Sequence, residues 1–136
     1  MNRLVLAFAL VISGFTVAAA AGGGAELRRA LTGLKSTDAA VRDRAVRTID
    51  RLNATRYAAQ VAQALGDSNS LVRFDAVNAL VHFRAKAYAP QIAALLSDHG
   101  SAYSFDPRDR KFIVTTVSAE ARRVLDGWGI EPAASR

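Results

Sequence analysis

Few side chains in this sequence could perform chemistry, and the first to consider are its two histidines. His99 lies between Asp98 and Ser101, so this stretch contains the residue types of a Ser-His-Asp triad. Three residues so close together in a connecting segment cannot point at one another as a triad requires. His82 has no histidine or glutamate partner at metal-binding spacing, and the chain has no cysteine, so a zinc site is unsupported. We therefore predict a protein without catalysis, metal or cofactor of its own.

A stripe of arginines could instead bind phosphate groups. Arg44, Arg47 and Arg51 are spaced i, i+3, i+7, which places them on one face of a helix. A protein that follows a nucleic-acid backbone would continue this stripe in the next structural unit. The residues found 31 positions further on are Asp75, Asn78 and His82. We therefore expect no nucleic-acid partner, and predict that the stripe is a solvated face or a local contact to an acidic protein.

The elements that must position these side chains belong to a unit that occurs twice. Residues 38–67 and 69–98 align without a gap, and each contains two consecutive helical patterns. In the first pattern apolar side chains recur at i, i+4, i+8 and i+11, and a shorter amphipathic helix follows after a turn. Such a repeat predicts an all-α fold, an α-solenoid of antiparallel helix pairs. Identical pairs across the alignment include Val41/Val72, Arg42/Arg73, Ala45/Ala76, Tyr57/Tyr88, Gln60/Gln91, Leu65/Leu96 and Asp67/Asp98.

The N-terminal residues predict a targeting segment. A single positive charge, Arg3, precedes an unbroken apolar run at 4–12, and small residues up to Ala21 resemble a cleavage site. We predict a signal peptide at 1–21 and hence export, to a periplasm or out of the cell. An uncleaved membrane anchor is the alternative.

Residues 25–130 are predicted to form the repeat domain. After a flexible linker at 22–24, residues 25–35 match the second helix of a unit and are expected to cap the stack as a half-repeat.

Beyond the second unit the prediction has three parts. Residues 99–106 are predicted to be an insertion loop, residues 107–128 one long final helix, and residues 131–136 a frayed tail. The β-branched run at 113–117 leaves a strand as the alternative for that stretch. The final helix repeats the first-helix template through Val117, Ala121, Leu125 and Trp128.

The two units resemble the HEAT repeat, and are most similar to the short HEAT-like form of bacterial proteins and phycobilin lyases. The resemblance covers about residues 25–128, and Ser118 replaces the arginine in the third, degenerate copy. It implies a scaffold or adaptor; lyase activity occurs in the family, but nothing in the sequence indicates a chromophore. The residues that carry it are Val41, Arg42, Ala45, Ile49, Leu65 and Asp67, and in the next copy Val72, Arg73, Ala76, Leu80, Leu96 and Asp98.

The resemblance also implies roles for particular residues. Arg42, Asp67, Arg73 and Asp98 are expected to be structural, because such residues in HEAT repeats often bond between neighbouring units. The second helices of HEAT repeats line the concave surface, so their outward positions are candidates for binding a partner. These positions are Arg29, Gln60 and Gln91, with Thr32, Gln63 and Ala94 in the neighbouring row.

The insertion is a second candidate surface. Tyr103, Phe105, Arg108 and Arg110 combine aromatic rings with guanidinium groups, a mixture that protein interfaces favour. The alternative is that Tyr103 and Phe105 fold back and cover the core of the last layer.

These observations together predict an exported, non-catalytic protein-interaction module or adaptor. Its partner is expected to be another protein, and self-association would also stabilise so short a solenoid. Two alternatives remain open from the sequence. One is an accessory subunit or weak lyase-like enzyme centred on 98–110; the other is a basic protein, with a formal net charge of +6, held on an anionic envelope surface.

Overall fold

The computed structural model describes residues 22–131, which form six helices and a two-stranded sheet. Short 3-10 turns precede and follow α3 and α5, at Thr55–Tyr57, Ala64–Gly66, Lys86–Tyr88 and Ala94–Ser97. The main elements are α1 (residues 22–33), α2 (Ala39–Arg51), α3 (Ala58–Gln63), α4 (Ser70–His82), α5 (Ala89–Ala93), β1 (Ser101–Asp106), β2 (Lys111–Thr116) and α6 (Val117–Trp128).

The two predicted helix pairs are confirmed, with α2 and α4 as first helices and α3 and α5 as second helices. Each first helix begins at a polar cap: Asp38 accepts a hydrogen bond from the N–H of Ala40, and Asn69 accepts one from the N–H of Leu71. Each ends in a turn with a residue of positive φ, Asn53 in one unit and Arg84 in the next. The same local chemistry therefore gives the same bend 31 residues apart.

The core lies between the stacked helices and consists of Ala, Val, Leu and Ile side chains. Ile49, Leu80 and Ile92 are its largest fully buried residues in α2, α4 and α5. In α6, Leu125 is fully buried and Trp128 is half-buried against the same cluster, so the third first-helix stripe is confirmed. The stack thus continues past the second unit, as the repeat template predicts.

The segment between the second unit and α6 differs from the prediction. The expected loop at 99–106 and the expected single helix at 107–128 are wrong: β1 and β2 pair as an antiparallel hairpin, and helix begins only at Val117. The physical reason is the β-branched run in β2, which suits an extended backbone and cannot pack as well in a helix. Asp106, predicted as a helix cap, instead starts the hairpin turn and accepts a hydrogen bond from the N–H of Arg108.

The predicted linker at 22–24 is also wrong, because these residues are part of α1. Gly23 and Gly24 line a groove with Leu52 and Ala54 at the turn after α2, and this packing offsets the poor helix propensity of glycine. The predicted signal peptide at 1–21 lies outside the described residues, as does all but the first residue of the predicted tail at 131–136. Among the helices of residues 22–131, none has the length and hydropathy needed to cross a bilayer.

Gly100 occupies the junction at which the second unit meets the hairpin. A Cβ atom there would lie 2.7 Å from Cβ of Ser70 and 2.7 Å from Nη2 of Arg73. Side-chain rotation cannot move Cβ of Ser70, because Ser70 belongs to the first turn of α4. We predict that Gly100→Ala lowers the free energy of unfolding by about 1 kcal/mol or more, measured by urea denaturation. Gly66→Ala, where the space is open, is the control, and an equal loss there would contradict the steric explanation.

Candidate functional site

An arginine and an aspartate join the two ends of each unit. Nε of Arg42 lies 2.6 Å from Oδ2 of Asp67, and its Nη2 lies 2.8 Å from Oδ1. Arg73 binds Asp98 in the same two-pronged way, at 2.6 and 2.9 Å. These charge-assisted bonds hold the pKa of both aspartates below its usual value, the arginine hydrogen bond being the main cause. The pairs therefore tie the start of each first helix to the end of the second helix.

The geometry corrects one detail of the family-based expectation. Each ion pair lies within a unit, whereas neighbouring units were expected to share it. What crosses between units is a backbone bond: Nη1 of Arg73 donates to the carbonyl oxygen of Asp67, at 2.8 Å.

The pairing bears on the catalytic alternative centred on 98–110. The oxygens of Asp98 accept hydrogen bonds from Arg73 and from the N–H of Gly100, while His99 is exposed. Asp98 is thus engaged by the repeat and does not pair with His99. Within residues 22–131, no group of three or more His, Asp or Glu side chains is arranged to hold a metal ion.

A second charged cluster lies in the seam between α2 and α4, and the sequence reasoning missed it. Oδ2 of Asp43 lies 2.5 Å from Nη2 of Arg47, whose Nε lies 3.4 Å from Oδ2 of Asp75. Nδ1 of His82 lies 2.9 Å from Oδ1 of Asp50. Burial, together with the hydrogen bond and charge of Asp43, raises the pKa of Asp75 to about 7. The offset of 31 that ended the arginine stripe was the available signal, since it places Arg47 and Asp50 beside the next helix.

The outward positions of the second helices form the surface that we call the second-helix surface, built by α1, α3 and α5. Arg29, Gln60, Gln63 and Gln91 are all exposed on it, as are Thr32 and Ala94. Gln60 and Gln63 lie together at a cavity of about 300 Å³. Arg29 instead lines a groove between α1 and α2 with Arg44. The predicted ladder is therefore not one continuous row, and only its α3 part adjoins the cavity.

The cavity has an apolar wall and a polar rim. Apolar atoms come from the C-terminal end of α1, from the start of the second helix and from α4. At its base the Arg42–Asp67 pair satisfies its own hydrogen bonds and charge. The residues lining it are Leu31, Leu34, Lys35, Arg42, Tyr57, Gln60, Gln63, Ala64, Asp67 and Val72.

The hairpin presents its large apolar residues to solvent. Tyr103 and Phe105 of β1 are both exposed, so the alternative that they cover the last layer's core is wrong. Ala102 does that instead, packing with Phe74 and Val117. Arg108 and Arg110 are exposed in the hairpin turn.

Two further hairpin residues belong to this surface and were not predicted. Phe112 and Val114 of β2 are exposed beside Phe105 and Tyr103, and the rings of Phe105 and Phe112 meet edge to face at 5.4 Å. The signal that could have found them was the alternation of a two-stranded hairpin, which a helical reading of 107–128 concealed.

Stacked antiparallel helix pairs at a period of 31 residues, with paired arginine and aspartate at fixed places, define an α-solenoid repeat protein. The family model for HEAT repeats matches residues 27–103, which is more than half of the chain, and the chain belongs to the HEAT-repeat family. HEAT repeats are generally protein-interaction modules. Neither the curated proteins nor the solved structures contain a significant match to this chain.

Proposed function

We propose that this chain is an exported, non-catalytic interaction module that holds a segment of another protein on its second-helix surface. Family membership supports the interaction role, and the signal peptide predicted at 1–21 supports export. The observation that carries the choice of surface is the cavity of about 300 Å³ at α3, with Gln60 and Gln63 exposed at its rim.

The chemistry of this cavity suits an extended peptide segment. Leu31, Leu34 and Tyr57 offer apolar contact to one inserted side chain. The amide groups of Gln60 and Gln63 each donate and accept hydrogen bonds, which matches the donor and acceptor that every peptide group carries. An apolar pocket with a few polar groups around it is the usual form of a recognition site.

The second unit offers a natural way to fill this cavity. At the positions equivalent to Gln63 and Ala64 it has Ala94 and Leu95, both in the same type of helix end. Ala64→Leu therefore introduces a residue that this fold already tolerates at that place in the repeat.

We predict that Ala64→Leu weakens partner binding about tenfold or more, because the added side chain occupies the space of the inserted one. The partner is first identified by placing a photo-crosslinking amino acid at position 60 in intact cells. Affinities of the purified partner for the two forms of the chain are then compared, with thermal melting as the check on folding.

Two controls make this test specific. A photo-crosslinker at Arg44, on the opposite helix layer, should not capture the same protein. Gln91→Ala, equivalent to Gln60 in the second unit, should leave affinity within about twofold. Unchanged affinity of Ala64→Leu, or equal crosslinking from both positions, would contradict binding at the cavity.

A further inference from the structure

The hairpin has two faces of opposite character. Residues that pair across an antiparallel ladder lie on the same face, so the pairs Tyr103↔Val114 and Phe105↔Phe112 share one side. Their exposures are 60% and 71% for the first pair, and 51% and 74% for the second. The other side includes Ala102, which is fully buried against the helices. We call the exposed side, Tyr103, Phe105, Phe112 and Val114, the aromatic face.

The aromatic face is larger than chance exposure explains. An aromatic side chain has roughly 150–250 Å² of surface, and each of the three rings here is more than half exposed. With Val114 the face reaches a few hundred Å², the size at which an apolar patch on a soluble protein marks a binding site. A two-stranded sheet is also marginally stable in water by itself, so covering this face would stabilise the hairpin.

The size of the face distinguishes between the surfaces that could cover it. A stable contact between two proteins, or two copies of this chain, buries roughly 800 Å² on each partner, about twice what the face supplies. A lipid bilayer needs no complementary partner surface. A flat group of aromatic and aliphatic side chains with neighbouring cations is typical of proteins that lie in the bilayer interface.

Charge points the same way. Arg108 and Arg110 are exposed in the turn between the strands, and neither takes part in the ion pairs of residues 22–131. The two acidic groups of the turn are engaged locally: Asp109 pairs with Lys111 at 2.8 Å, and Asp106 accepts from the N–H of Arg108. Both guanidinium groups are thus available for phosphate oxygens, in a chain whose formal net charge is +6.

We propose that the hairpin docks this protein on an anionic phospholipid bilayer, with the aromatic face in the interface and Arg108 and Arg110 at lipid phosphates. The depth is limited, because the unpaired backbone groups at the outer edges of β1 and β2 require water or headgroups as partners. The face therefore enters no deeper than about 5–10 Å, the depth of interfacial elements. This docking is independent of the proposed function and leaves the second-helix surface unused.

The test places a fluorophore on the aromatic face of the full chain. The apolar residues 4–12 can themselves enter lipid, so total binding is not sufficient as a readout. Phe112→Trp is combined with Trp128→Phe, which removes the only native tryptophan. With phosphatidylcholine vesicles containing a quarter phosphatidylglycerol, we expect the emission from position 112 to shift to shorter wavelength and to be quenched by brominated lipid. Thr32→Trp in the same background, exposed on α1, should show neither change.

Charge dependence is tested in the same background. Arg108→Gln with Arg110→Gln should weaken the affinity measured at position 112 about tenfold, since each basic group adds several-fold to binding on anionic lipid. Arg28→Gln with Arg44→Gln removes the same charge from α1 and α2 and should change it less than threefold. Equal losses in the two pairs would contradict the assignment of Arg108 and Arg110 to phosphates.

Two other outcomes would overturn the proposal. One is vesicle binding without any spectral change at position 112, which would place lipid contact elsewhere in the chain. The other is a dimer, in lipid-free solution, that Phe112→Ser dissociates, which would make a second copy the occupant of the face. Circular dichroism of each variant confirms that the helices remain folded.

Discussion

Replacing Arg73 by methionine is expected to lower the free energy of unfolding by about 3 kcal/mol, the largest single effect outside the apolar core. The change leaves the carboxylate of Asp98 and the carbonyl oxygen of Asp67 without their shared donor. Removing one partner of a largely buried ion pair is worth about 3–5 kcal/mol, because an uncompensated charge remains. The small residual exposure of both side chains places the effect near the lower end. Urea denaturation at pH 7 measures it.

Two matched variants identify the cause of that loss. Arg47→Met removes an arginine that is largely exposed, and it should change the free energy of unfolding by less than about 1 kcal/mol. Adding Asp98→Asn to Arg73→Met should restore roughly 1–2 kcal/mol, because the amide oxygen keeps the bond from Gly100 without a buried charge. If the second change gave no recovery, the loss would have to come from packing of the arginine stem.

Asp75→Asn is expected to raise the free energy of unfolding at pH 8 by about 2 kcal/mol. Asp75 lies in the seam between α2 and α4, where burial and the neighbouring Asp43 raise its pKa to about 7. Above this pH the folded protein contains a poorly hydrated carboxylate that the unfolded chain solvates freely. The full shift from about 4 corresponds to roughly 4 kcal/mol, and partial exposure with screening by Arg47 reduces it to about half.

The pH dependence follows from proton binding. Between about pH 4 and pH 7 the folded protein holds a proton on Asp75 that the unfolded chain has lost. This stabilisation is complete below about pH 4 and is lost as the pH rises through 7. Asp67 and Asp98 act in the opposite sense, because their pKa is lowered: their stabilisation disappears as the pH falls below about 4. We therefore expect greatest stability between about pH 4 and 6.

Urea denaturation at pH 5, 6, 7 and 8 tests this profile. The native sequence should lose stability over this range, and Asp75→Asn should be nearly level. Asp109→Asn, which removes an exposed carboxylate of the hairpin turn, should keep the native slope. A level profile for the native sequence would show that Asp75 carries no proton near neutral pH.

The two proposed contacts use separate parts of the chain. The protein partner is assigned to α1 and α3, and the bilayer to β1 and β2, with no residue in common. A chain that used both would hold a partner beside a membrane surface. The tests are likewise separate, because Ala64→Leu leaves the hairpin intact and Phe112→Trp leaves the cavity intact.

Much of the architecture could be predicted because the repeat is written in local spacing. Val72, Leu80 and their equivalents recur at helical intervals in both units, and Asp38 and Asn69 are typical caps. These features depend on residues a few positions apart. The repeat template even located α6 across an insertion, through Val117 and Leu125.

The hairpin could not be predicted by the same method. Residues 111–117 contain a run that suits a strand as well as a helix, and the choice depends on a partner strand ten or more residues away. The seam around Asp75 was missed for a related reason, since its pKa reflects burial between α2 and α4.

The sequence by itself determined the helix pairs, their period and the membership of the HEAT-repeat family, because side-chain spacing within one helix decides which of its faces is apolar. Only the tertiary structure decided that Ala102 is covered while Phe112 faces solvent, and that Gln60, but not Arg29, adjoins the cavity. Whether a face is covered depends on contacts between segments far apart in the chain. Such contacts are set by how the helices stack in space, and no local pattern records them.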